Sequence, residues 1–149
     1  MIVFSPLAKF LRLSASDRRF LLKVLLAVWV VRLMLSLLPF RKVRELLTKF
    51  ATTNRNTAEQ FPLEHVAWAV SRASRFVPAA SCLTQALVTK LFLGRLGHPA
   101  TVRIGVARSE AGELQAHAWV ESRGKIVIGG SQRSLQRYTP LAAANGELW

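Results

Sequence analysis

The chain has 149 residues, 51% of them apolar, and its 21 Lys+Arg against 8 Asp+Glu give a formal charge of +13. That length suits one domain with a core of its own, and that apolar share excludes an intrinsically disordered chain. Cys82 is the single cysteine, which excludes an internal disulfide and a cysteine-rich zinc site and points to a reduced, cytoplasmic setting.

Residues 1–50 carry ten Lys/Arg against Asp17 and Glu45. The cations stand singly among Leu, Val and Phe instead of clustering as a phosphate-binding patch would, and Phe20 and Trp29 sit among aliphatics where core packing explains them. Nucleic-acid binding is not expected. The run Phe20–Phe40 resembles a membrane span in length, but Lys23 and Arg32 interrupt it and no small-residue cleavage site follows it. It reads as a helix starting at Ser16-Asp17, stopping at Pro39, and buried on most sides against the rest of the domain or another subunit. Membrane association is not the expectation, although the basic, apolar segment leaves it open.

Arg41–Phe50 reads as a second helix and Ala51–Thr57 as a polar connector. Pro62–Phe76 follows as a helix with proline in its first turn, then a loop over Val77–Ser81. Cys82–Leu96 is the next helix, with Leu83, Ala86, Leu87, Leu91 and Phe92 on its apolar face and Gly97 as a left-handed terminator. The period then changes to two. Thr101–Arg108, Gln115–Ser122 and Lys125–Gly129 read as strands, the last two joined through Arg123-Gly124. Helices first and a small antiparallel sheet after them make the fold class α+β. Residues 1–56 form a basic, aliphatic helical extension and 57–149 the core that carries the chemistry.

Cys82 falls in the first turn of its helix, where the dipole and free N–H groups favour a thiolate and can stabilise an oxyanion. A small buried hydrophobe is the alternative. His117 lies in Ala116-His117-Ala118-Trp119-Val120-Glu121, where residues 117, 119 and 121 share one strand face. A histidine so placed can take the thiol proton and later protonate a leaving amine. His65, inside a helix, and His98, after Gly97, are weaker candidates, and no H-x-x-x-H or H-E-x-x-H spacing suggests a metal. No cofactor is expected.

Ser81-Cys82-Leu83-Thr84-Gln85, Val102-Arg-Ile-Gly105-Val106, His117-Ala-Trp-Val-Glu121 and Ile126-Val-Ile-Gly-Gly130, in this order, resemble the leader peptidases of lasso-peptide biosynthesis. That family belongs to the transglutaminase-like, papain-like cysteine protease superfamily. The resemblance covers nearly the whole chain, including the aliphatic helix ending in Leu38-Pro39-Phe40. It implies removal of the leader from a ribosomally made precursor peptide, with Cys82 as nucleophile and His117 as base, and a threonine two residues before the cut. It also implies the split form, in which a small winged-helix partner captures the leader. The ATP-dependent cyclase that closes the ring is a further candidate partner.

In that superfamily the third catalytic member is usually an Asp on the strand after the His, yet here that stretch is Ile126–Gly130 and the only Asp is Asp17. Glu121, on the face of His117, is the first choice to orient the imidazole; Asn145, Gln132 and a backbone carbonyl near Gly129 are the others. Gln85 faces either the site or solvent, and Trp119 either walls a groove or fills core. Two readings compete with the peptidase: acyl transfer to an amine by the same Cys–His pair, and a non-enzymatic basic scaffold for a precursor or a membrane surface.

Overall fold

The computed structural model describes residues 6–52 and 62–140. Helix α1 covers Pro6–Leu11, an element the sequence did not announce. Helix α2, Ala15–Leu37, is capped by Ser14, whose hydroxyl accepts the Asp17 N–H at 3.1 Å. The cap is Ser14 instead of Ser16 because a serine three residues before the helix's only first-turn carboxylate has the N-cap to N3 spacing. Leu38, held extended by the following Pro39, ends α2 (φ −119°, ψ 151°). Pro39 then accepts the Lys42 and Val43 N–H groups as α3, Phe40–Thr52, begins.

Phe20, Val24, Val28 and Val31 recur at helical spacing and form the one buried stripe of α2. They pack against α4, Leu63–Ser74, and α5, Cys82–Arg95. The rest of the chain covers α2 on this side alone: Leu26 is 66% exposed and Leu33 54%. By length and apolar content α2 is also long enough to cross a membrane. Helix α4 buries Val66, Ala69, Val70 and Ala73 along a single face.

Helix α5 is the hub, touching α2, α3 and α4 on one side and the sheet on the other. That two-sided cover is why it buries Val88 and Leu93 as well as Ala86, Leu87 and Leu91. It ends in a Schellman turn: Gly97 has φ +78°, the His98 N–H reaches Leu93 O at 2.8 Å and the Gly97 N–H reaches Gly94 O at 3.1 Å.

Strands β1 (Thr101–Arg108), β2 (Leu114–Ser122) and β3 (Lys125–Ile128) form an antiparallel meander. The β2–β3 turn at Arg123-Gly124 has positive φ at both residues (51° and 77°), the backbone a two-residue hairpin demands. A short helix α6, Gln132–Leu135, and a two-residue strand β4, Thr139–Pro140, follow. The sheet order is β3-β2-β1-β4, so residues 129–138 cross from one sheet edge to the other. Val102, Ala118 and Val120 join the helical residues in one contiguous core. That core unites α2 and α3 with α4 and α5; the expected boundary at 56/57 lies outside the described residues.

Candidate active site

Cys82 is the first residue of α5 and is partly buried. Ser81 caps the helix, its hydroxyl accepting the Thr84 N–H at 3.2 Å. In an α-helix the N–H groups of residues 82 and 83 have no intrahelical acceptor, so they stand free beside the thiol. Ala79, three residues upstream, holds φ +58°, a left-handed conformation costly for a residue with a Cβ, which marks the turn into the helix as tightly specified.

His117 stands on β2 directly opposite Gly105 of β1. Its neighbours Ala118 and Val120 face α5 and the core, so by strand alternation the imidazole and Trp119 project from the other face. There residues 129–138 cover them. The ring lies 5.3 Å from that of Tyr138 and 6.4 Å from that of Trp119, nearly parallel to both (30° and 20°). Its Nε2 contacts the Gly129 carbonyl oxygen. A carbonyl only accepts, so Nε2 carries the proton and Nδ1 is left as the basic nitrogen. His117 also lies past the last β2–β3 pairing, Val120 with Ile128, at the stretch of β2 that β3 does not flank. Among the described residues no hydrogen bond joins the Cys82 thiol to His117, and with Cys82 packed against the core and the imidazole on the other face of β2 the structure does not bring the two together.

Glu121, the expected orienting carboxylate, is engaged elsewhere. Its Oε1 accepts the Trp119 indole N–H at 2.9 Å and its Oε2 pairs with Arg103 Nε at 2.8 Å. It lies four residues along the strand from His117, about 13 Å in the chain direction, so a shared face does not bring them into contact. Instead Arg103, Glu121 and Trp119 form a chain that ends against the imidazole.

The two glycines at this site are structural requirements. A Cβ on Gly129 (φ +107°) would stand 2.5 Å from Trp119 Cβ, and one on Gly105 would stand 2.9 Å from Tyr138 Cβ. Position 129 thus has no room for a carboxylate side chain and supplies its main-chain oxygen.

The other candidates lie apart. Asp17 approaches His65 Nε2 at 3.2 Å, tying α2 to α4, and the His65 ring stacks between Phe20 and Trp68. Gln132 is exposed on α6 and Gln85 is partly buried on α5; Asn145 lies outside the described residues. Trp119 is 4% exposed, buried against Tyr138 and His117. Tyr138, Arg103 and Gly105 were not singled out from the sequence. The hairpin could have offered Arg103: folding β1 back on β2 with Arg108 opposite Leu114 sets it across from Trp119 and beside Glu121. Tyr138 carried no such signal, because it follows an α6 that has no periodic pattern.

A family model described as the transglutaminase-like superfamily matches residues 24–143. The chain belongs to the transglutaminase-like superfamily. No curated protein and no solved structure matches it. The match begins inside α2 and takes in Cys82, His117 and the whole sheet. The α+β architecture, with a cysteine opening a central helix and a histidine on the packed strand, agrees with a transglutaminase-like core. Members of this superfamily are generally cysteine-dependent enzymes.

Proposed function

We propose that this transglutaminase-like protein is a cysteine peptidase that cuts the leader from a lasso-peptide precursor, acting with a small winged-helix protein that holds the leader. The observation that carries the chemistry is His117 with Nε2 committed to Gly129 O and Nδ1 free to act as base. The substrate assignment rests on the ordered motifs around Cys82, Gly105 and His117.

On this reading the Cys82 thiol and the imidazole, which are not in contact in the structure, come together when the precursor binds: Nδ1 of His117 takes the Cys82 proton and the Sγ attacks the carbonyl carbon at the leader–core junction. The N–H groups at the start of α5 stabilise the oxyanion. The C–N bond breaks as the imidazolium gives its proton to the departing core amine. Water, deprotonated by His117, then opens the thioester, freeing the leader carboxylate and the Cys82 thiol. Capture of the leader by a partner raises the concentration of the junction at the site.

The test is mass spectrometry of a cognate precursor incubated with this protein and its leader-binding partner. A single cut at the junction by the wild type, absent in Cys82→Ala, is expected. Uncut precursor from folded wild type with the leader bound would overturn the peptidase. Added small amines report on the acyltransferases of the same superfamily: conversion of the leader carboxyl to an amide would reassign the acceptor from water to amine.

A further inference from the structure

The surface that the peptidase reading leaves unused is the outer side of α2. Leu22, Leu26, Val30, Leu33 and Leu37 recur at helical spacing on it, and Trp29 lies beside them; all are exposed. The stripe runs about 22 Å, a length and hydrophobicity that isolated surface residues do not show. It is a ridge, with an apolar cleft of about 520 Å³ on each side. One cleft, toward α4, is rimmed by Lys9, Arg72 and Arg75; the other, toward α3 and α5, by Lys23 and Arg95. Among the described residues, neither lining contains an Asp or a Glu.

We infer that this face rests on an anionic lipid surface, with α2 lying in the plane of the interface. An apolar ridge between cationic rims is the layout of an interfacial helix: the aliphatic side chains enter the acyl boundary while Lys and Arg extend to the headgroup phosphates. A convex, uncharged line suits a deformable planar partner. A second copy of the chain would bring +13 against +13 and set the same cations face to face, which disfavours self-association. Spanning is a different matter, because Phe20, Val24, Val28 and Val31 hold the inner face in the core, and crossing the bilayer would strip them out. The inference stands independently of the peptidase reading.

The experiment is flotation of the full chain with vesicles of phosphatidylcholine alone and with one-quarter phosphatidylglycerol, comparing wild type with Leu26→Glu/Leu33→Glu and Lys23→Glu/Arg95→Glu. Circular dichroism checks that each variant is folded, which the exposure of Lys23, Leu26 and Leu33 favours. Wild type is expected to float with the anionic vesicles and to be released by salt, with both variants weakened about tenfold or more. Three results would overturn the inference: no flotation of wild type, stripe variants that float as wild type does, or an oligomer by light scattering that the stripe variants dissociate. The last would give the face to a second copy. Loss of affinity for the leader-binding protein in these variants, with vesicle binding unchanged, would give it to that protein.

Discussion

The imidazole of His117 is held at Nε2 by a neutral main-chain oxygen, on its flanks by Trp119 and Tyr138, and, among the described residues, by no carboxylate. A carbonyl fixes the tautomer but adds no countercharge when the ring protonates. Nitrogen-15 spectra of the histidine-labelled protein should therefore show His117 with a protonated Nε2 and a bare Nδ1; the opposite tautomer would show that Gly129 does not hold the ring. Mutation tests whether Glu121 acts on the ring. His117→Ala should cost at least about a thousandfold in precursor cleavage, whereas Glu121→Gln, which can still accept the Trp119 N–H, should cost less than about tenfold. A large, equal loss from both would put Glu121 back in the machinery.

Much of this candidate site was legible in the sequence. Cys82 and His117 stood out because a lone cysteine opening a helix and a histidine on an alternating strand each suit the same chemistry. Glu121 misled because period-two alternation reports the face a residue occupies and says nothing of distance along it. Gly129 was legible only by default, as the place where a carboxylate was missing. Its steric reason, the close approach of Trp119, needs the third dimension.

Among elements, α2 shows where a sequence pattern stops short. Its existence, its stop at Pro39 and its apolar content were all readable, yet apolar content does not reveal which side finds a partner. The three strands of the meander and the helices α2 to α5 were placed within a residue or two by period, Pro39, Gly97 and Gly124. By contrast, α6 and β4 are too short for any period to register. Helix α5, enclosed by helices and sheet, should be the stiffest point. Leu87→Ala should lower unfolding free energy by about 2–5 kcal/mol, because a fully buried leucine leaves a cavity that the surrounding elements cannot refill. Asp17→Asn breaks the contact between α2 and α4, but with side chains 31% and 23% exposed it should cost less than about 1 kcal/mol and fade with added salt. Urea denaturation of both variants checks the ranking; a reversed order would mean that the polar tie, not the packing, holds α2 in place.

For the molecule as a whole, the contiguous core sets the unit of folding. Residues of α2 and α3 fill one apolar interior with those of α4, α5 and the sheet, and the family match begins at residue 24. The segment 57–149 expressed alone should therefore lack a cooperative thermal transition by circular dichroism. A sharp melt close to that of the full chain would show instead that the N-terminal helices are an attachment. The basic surface was evident from composition, but its layout, cations ringing apolar clefts, was not, since those residues come from α1, α2, α4 and α5.

The passage of residues 129–138 across the sheet also bears on the order in which this protein can assemble. Everything that fixes His117, namely Gly105, Trp119, Gly129 and Tyr138, comes from residues 101–138. The meander and its overlying connection can thus ready the base through contacts short in sequence, which close early and fast. Cys82, the proposed nucleophile, takes its place only when α5 docks its flank on β2 with α2, α3 and α4 behind it. A chain still collapsing would then hold the His117 imidazole in place before Cys82, and any chemistry that needs both would arrive last, with the packing of the central helix.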